Sequence, residues 1–209
     1  MRLSRLLATL PAVLLMLAPI AHADDTKDFL KPDNWEGIKE YWTVEGTSVT
    51  GSTKVDPKFN TFLCSKTKYS DYEMSFKIRL VDGKGNSGIQ VRSAVIDKEK
   101  FVVGGPQCDI GQQYWGSLYG EQVGGMMKAC PGDFVKKHVK AKDFNDYFLQ
   151  VKGDHITIKV NGETAVDGDF PTTKDDKPMA KTGIIAFQLH AGAPMTVEYK
   201  DIKFVNLKK

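Results

Sequence analysis

The chain has 209 residues, 26% of them charged, and a formal net charge of only +3. That near balance argues against nucleic acid or an anionic membrane as a main partner. The length suits one domain with a sizeable core, and three cysteines without a CxxC spacing argue against zinc-knuckle or dithiol redox chemistry.

The chain opens with Arg2 and Arg5, then the apolar run LLATLPAVLLMLAPI, then Ala21-His22-Ala23. A positive start, an apolar run too short and too Pro-broken to span a membrane well, and small residues at a cleavage position read as an export signal. Residues 1–23 are therefore expected to be removed, leaving residues 24–209 as a single periplasmic or secreted domain. Losing Arg2 and Arg5 brings the formal charge from +3 to about +1. No cysteine follows the apolar run, which argues against a lipid anchor. No later segment approaches the roughly 20 apolar residues of a transmembrane helix. Cys64, Cys108 and Cys130 are an odd set for an exported chain. A Cys108–Cys130 disulfide is expected from the short loop it would close, with three unpaired thiols as the alternative.

One helical turn is predicted over Asn34–Ile38, after Pro32-Asp33. YEMSFKIRL (72–80) alternates Tyr72, Met74, Phe76, Ile78 and Leu80 against Glu73, Ser75, Lys77 and Arg79, which predicts a half-buried strand. Asp133–His138 suggests a second helical turn. DHITIKVNGETAV puts Ile156, Ile158 and Val160 on one side and then supplies Asn161-Gly162, a strong hairpin signal. PTTKDDKP (171–178) reads as a polar surface loop. TVEYKDIKFVNL alternates through Val197, Tyr199, Ile202 and Phe204 with one slip in phase, which predicts a bulge. No stretch is amphipathic enough for a core helix. The expected fold is all-β with very little helix, an antiparallel sandwich.

Three strands lack a charged solvent face. NSGIQVR sets Ser87, Ile89 and Val91 against Asn86, Gly88, Gln90 and Arg92. PQCDIG sets Cys108 and Ile110 against Gln107 and Asp109. GIIAFQLH sets Ile185, Phe187 and Leu189 against Ile184, Ala186, Gln188 and His190. Amides and planar charged groups offer the directed donors and acceptors that sugar hydroxyls need, and glycines let a ligand approach the backbone. If the three strands share a sheet, these faces converge on one concave surface, with Trp115 and Tyr119 as an apolar platform for a sugar ring. Separate polar positions with local partners are the alternative.

YSDYEMSFKIRL, GKGNSGIQVR, GPQCDIGQQYWGSLYGE and GIIAFQLHAGAPMTVEYKDIKF occur in that order, after the opening NWEGIKEYWTVEGTSVTG. Together they resemble the 3-keto-disaccharide hydrolase domain family, formerly known only as a domain of unknown function. The resemblance covers nearly all of residues 24–209 and implies a concanavalin A-like jelly-roll β-sandwich. It also implies action on glycosides whose sugar C3 is a ketone. Such a ketone acidifies the C2–H, so a base removes that proton, the C1 substituent leaves, and water adds back, for net hydrolysis.

The same resemblance implies Asp109 and His190 as catalytic residues, with Arg92 as anchor or enolate stabiliser and Gln188 as a hydroxyl contact. The commoner family pattern has a glutamate and then a glutamine where this chain has Gln107 and Asp109. One carboxylate is kept but moved by two residues, about 6–7 Å along a strand. Gln90, Gln107, Trp115, Tyr119 and Glu121 complete the expected substrate-binding set, and Asn86 is a possible brace. An Arg92–Asp109 pair would lower the acid's pKa and leave His190 as the better proton acceptor. A divalent metal on His190, Asp109 and Glu121 is chemically allowed, and none is assigned. His138 and His155 read as surface residues. The expected partner is a small carbohydrate or glycan, and the alternative function is a non-catalytic, lectin-like carbohydrate-binding module on the same fold.

Overall fold

The computed structural model describes residues 24–208, so the export-signal reading of residues 1–23 lies outside it. Fourteen strands follow one another along these residues. The first seven are β1 (Trp35–Glu36), β2 (Trp42–Glu45), β3 (Ser48–Thr53), β4 (Thr61–Tyr69), β5 (Tyr72–Leu80), β6 (Ser87–Asp97) and β7 (Val102–Ile110). The remainder are β8 (Leu118–Glu121), β9 (Gly125–Lys128), β10 (Asn145–Lys152), β11 (His155–Val160), β12 (Glu163–Asp169), β13 (Gly183–Leu189) and β14 (Met195–Asn206). Helix is confined to α1 (Thr26–Phe29), α2 (Phe134–His138) and three single 3-10 turns. The predicted turn at Asn34–Ile38 is instead a 3-10 turn at Pro32–Asn34, just before β1.

The strands form two antiparallel seven-stranded sheets. One has the order β1-β4-β13-β6-β7-β8-β9 and the other β12-β11-β10-β5-β14-β3-β2. This is the antiparallel sandwich expected from alternation, in the jelly-roll form that the family resemblance implies. Tyr72, Met74, Phe76, Ile78 and Leu80 are all buried, while the residues between them are half-exposed. Asn161 and Gly162 both take positive φ, 53° and 86°, as a two-residue hairpin of the favoured hand requires. In β14 the register against β5 slips between Lys200 and Lys203, with Asp201 at φ 53°, where the sequence loses its phase.

The inner faces meet in one core. Ile89, Val91, Cys108, Ile110, Ile185, Phe187 and Leu189 come from the first sheet; Met74, Phe76, Ile78, Tyr147, Leu149, Ile158 and Tyr199 come from the second. Two tyrosines cross this core to fix the first sheet. Tyr199 Oη lies 2.6 Å from Ser87 Oγ, and Ser87 Oγ is also 2.6 Å from the Gln188 carbonyl oxygen. Tyr147 donates to the Asp109 carbonyl at 3.2 Å. Cys64, Cys108 and Cys130 are all free, so the expected Cys108–Cys130 disulfide is not formed. Alternation sends Cys108 fully into the core, whereas Cys130, on the loop after β9, packs only at the core's margin with its thiol 3.8 Å from the Gln113 carbonyl oxygen.

Candidate functional site

The polar faces of β6, β7 and β13 do share a sheet, and they lie side by side on its outer surface. β6 stands between β13 and β7, with Ala186 opposite Gln90, Gln90 opposite Gln107 and Gly88 opposite Asp109. β8 extends the surface, with Tyr119 opposite Gln107 and Glu121 opposite Gly105. At one end of this surface Phe62, Cys64, Val103, Ile184 and Ala186 form a small apolar cluster against Val95 and Phe101. Next to it opens a cleft of about 350 Å³, lined by Gln107 and Asp109 from β7 and by Gln188 and His190 from β13 and its end. Asn60, Asn86, Tyr114, Tyr119, Glu121 and Met126 close it from neighbouring strands and loops.

Asp109 lies on the cleft floor, 5% exposed. Gln107 Nε2 is 2.7 Å from Asp109 Oδ1 and 3.2 Å from Gln188 Oε1, and Gln90 Nε2 is 2.9 Å from Gln107 Oε1. Gly88 makes room for this row, because a Cβ there would sit 2.6 Å from the Gln107 carboxamide carbon. With the Gln107 amino group toward it, burial drives the Asp109 carboxyl up to about 7; that hydrogen bond pulls it down somewhat, and the Glu121 charge pushes it up again. The far end of the Gln188 carboxamide is buried without a partner. Glu121 is nearly buried and accepts from Asn60 Nδ2 at 3.3 Å.

His190 stands exposed at the mouth, just beyond the end of β13. Its Nδ1 is 2.6 Å from the Ala191 carbonyl oxygen. A carbonyl only accepts, so Nδ1 carries a proton and, in the neutral ring, Nε2 keeps its lone pair. A second hollow of about 530 Å³ shares Asn86, Tyr114 and His190 with the cleft and continues past Lys84, Gln112 and Pro194. A larger groove of about 930 Å³ lies on the opposite sheet. Its polar lining includes Lys77 and Asp146, which pair with each other at 2.7 Å. Lys159, Lys203 and Asp201 add to an ordinary charged, solvated face.

Three expected binding residues do not line the cleft. Gln90 is fully buried beside Gln107, whose carboxamide it meets, so it cannot reach a ligand. The other two lie elsewhere. Arg92 sits in a bulge of β6, with φ 46° and a register shift between Gln90 and Ala94, so alternation fails there. Its guanidinium donates to the Ser70 carbonyl at 2.7 Å, the Gly153 carbonyl at 2.6 Å and Asp71 Oδ1 at 2.8 Å. It clamps the turns at the sandwich edge and makes no pair with Asp109. Trp115 is 3% exposed in the core and forms no platform. The 3-10 turn at Gln112–Tyr114 and the positive φ of Gly116 (78°) reset the phase between β7 and β8, turning Trp115 inward and leaving Tyr119 on the cleft face. Tyr114 and Met126 lie in its place beside the cleft; Met126, like Asn60, is a lining residue without a signal in its own strand pattern. Among the described residues, no three His, Cys, Asp or Glu side chains are grouped to hold a metal ion.

Residues 25–205 match the model of the 3-keto-alpha-glucoside-1,2-lyase-like domain. The fold is similar to that of a candidate glycosyl hydrolase from Parabacteroides distasonis, at 18% identity and a TM-score of 0.64, covering 86% of this chain and 98% of that one. It is also similar to a carbohydrate binding module from Bacillus subtilis, at 13% identity and a TM-score of 0.58, covering 82% and 95%. A third similar structure is the kappa-carrageenase from Pseudoalteromonas carrageenovora, at 14% identity and a TM-score of 0.54, covering 91% and 99%. No curated protein sequence matches the chain. The chain belongs to the family of 3-keto-alpha-glucoside-1,2-lyase-like domains.

Proposed function

We propose that the cleft cleaves 3-keto-glycosides by elimination followed by hydration. The observation that carries this reading is the pairing of two complementary proton carriers in one sugar-sized space. Asp109 keeps its proton to about pH 7, and neutral His190 has an unprotonated Nε2. In this scheme His190 takes the proton from C2, which the C3 ketone has acidified. The C2 electron pair forms the C1–C2 double bond, and the C1–O bond breaks as Asp109 gives its proton to the departing oxygen. Water then adds across the enone, with its oxygen at C1 and a proton at C2, to release a 3-keto sugar. Asn86 and Tyr119 offer contacts for hydroxyls and the developing enolate oxygen, while the adjoining hollow gives the leaving group room. On the export reading of residues 1–23, this chemistry belongs to the periplasm or the exterior.

The test is release of a chromogenic aglycone from a 3-keto-glucoside by the purified protein. In heavy water, deuterium should appear at C2 of the product. Both His190→Ala and Asp109→Asn should lower turnover by about 10²-fold or more. Saturable sugar binding without release would replace the enzyme by a binding module. Release unaffected by either substitution would remove these residues from the chemistry.

A further inference from the structure

The carboxamides of Gln90, Gln107 and Gln188 form a row that ends on Asp109. The nitrogen and oxygen ends of a carboxamide have nearly the same shape, so partners decide which way each one points. Gln90 is fully buried at the closed end of the row. One end of its carboxamide faces the Pro106 carbonyl oxygen at 3.0 Å, the Gly105 carbonyl oxygen at 3.3 Å and Ser93 Oγ at 2.6 Å. Only a donor satisfies two carbonyls, so that end is the amino group. Ser93 then accepts from Gln90 and donates its own proton to the Val91 carbonyl at 3.0 Å.

The remaining orientations follow in turn. The oxygen of Gln90 faces Gln107 at 2.9 Å, so Gln107 turns its amino end that way. Its oxygen then lies 2.7 Å from Asp109 Oδ1 and 3.2 Å from the Gln188 carboxamide. Two oxygens at 2.7 Å need a proton between them, and only the acid can supply it. Gln188 donates its amino group to Gln107. Its unpartnered buried end becomes a carbonyl oxygen, which is better tolerated than a stranded N–H.

We propose that Gln90 is a positioning residue that sets the polarity of this row and thereby holds the proton on Asp109. The use made of that proton rests on the active-site reading, but its location does not. The surrounding groups agree in sign. Glu121 on β8 opposes a second negative charge nearby, and Tyr147 and Cys108, on the core side, are kept neutral by burial. Burial likewise raises Tyr119. The cleft lining holds no lysine or arginine, and His190 is its one potential cation. Loss of the proton would set a carboxylate oxygen against the Gln107 oxygen unless all three amides turned over.

The test is a pH titration of the Asp109 carboxyl carbon by NMR in protein with ¹³C-labelled aspartate, without substrate. The wild-type midpoint should lie above 7, because about 7 is the value that goes with a Gln107 amino group donating to the carboxylate. Gln90→Met frees Gln107 to turn its amino end to the carboxylate, so the midpoint should fall by about one to two pH units. An unchanged midpoint in the folded variant would overturn the proposal. Should Gln90→Met not fold, contacts in the wild-type spectrum decide. Nuclear Overhauser effects from the Gln90 amide protons to Ser93 and Pro106 support the assigned polarity, and effects to the Gln107 side chain instead overturn it. Because neither measurement needs turnover, a failed cleavage assay leaves this result standing.

Discussion

Replacing Asp109 by asparagine should stabilise the protein while removing its acid, and the gain should depend on pH. The carboxyl titrates near 3.8 when unperturbed and near 7 in the fold, with burial as the main cause. Between those values the folded state binds more protons than the unfolded one, so wild-type stability falls as pH rises through this window and levels off above it. A span of about three pH units at 1.36 kcal/mol each puts the cost at about 4 kcal/mol by pH 8. In Asp109→Asn the side-chain amino group can donate to Gln107 as the protonated acid does, and it does not titrate. Urea unfolding of both proteins from pH 4 to 8 isolates the effect, because every other ionisable group is common to both and largely cancels. With an m-value of about 2 kcal/mol/M, the variant's midpoint should exceed the wild type's by about 2 M at pH 8 and by little at pH 4. A difference that stays flat over this range, or that favours the wild type increasingly as pH rises, would refute the account of Asp109 as a buried, protonated acid.

Gly88→Ala should push Gln107 off Asp109, because the new Cβ would lie 2.6 Å from the carboxamide carbon; thermal unfolding should show a loss of about 1–3 kcal/mol, and cleavage should drop with it. Arg92→Met leaves two carbonyls and Asp71 without their buried donor, so it should cost about 3–5 kcal/mol by urea unfolding while KM of the folded fraction stays put. Tyr119→Ala should instead raise KM with little change in stability, whereas Trp115→Ala should cost about 3–5 kcal/mol as a core truncation. Of the three thiols, only half-buried Cys130 should react with a thiol reagent in the native protein. Cys108 is fully buried, and burial pushes the Cys64 thiol up to about 12.

Period-two alternation is read along single strands, and wherever a strand stays regular it states correctly which side chains share a face. That is why Gln107, Asp109, Gln188 and His190 were legible together as a site before their strands were known to be neighbours. It fails where one residue is inserted or a turn resets the phase. Arg92 and Trp115 are those two cases: a bulge sends one to the sandwich edge, and a 3-10 turn followed by a positive-φ glycine sends the other into the core. Nothing in NSGIQVR or QQYWGS marks either event, because the compensating contacts at Ser70, Asp71 and Gly153 come from distant loops. Strand order is likewise absent from local pattern, so Asn60 and Met126 gave no signal of their own.

The departure from the commoner family pattern in β7 has a physical sense once the neighbours are known. Gln107 stands opposite both Gln90 and Tyr119, in the middle of the polar surface, with the amide row passing through it. A glutamate there would put its charge against the Gln90 carboxamide and close to Glu121. Two residues on, Asp109 stands opposite Gly88, whose missing side chain leaves room for the Gln107 carboxamide to lie against the acid. Its backbone carbonyl is held by Tyr147 from across the core and by the Gly116 N–H at 2.9 Å. The exchange of positions therefore keeps one carboxylate in the cleft and places it where the backbone is pinned and a neutral amide can govern its proton. On the proposed chemistry, an acid that loses and regains a proton in every cycle gains from that arrangement, since the row disfavours its ionised form and so favours its recapture of a proton from water.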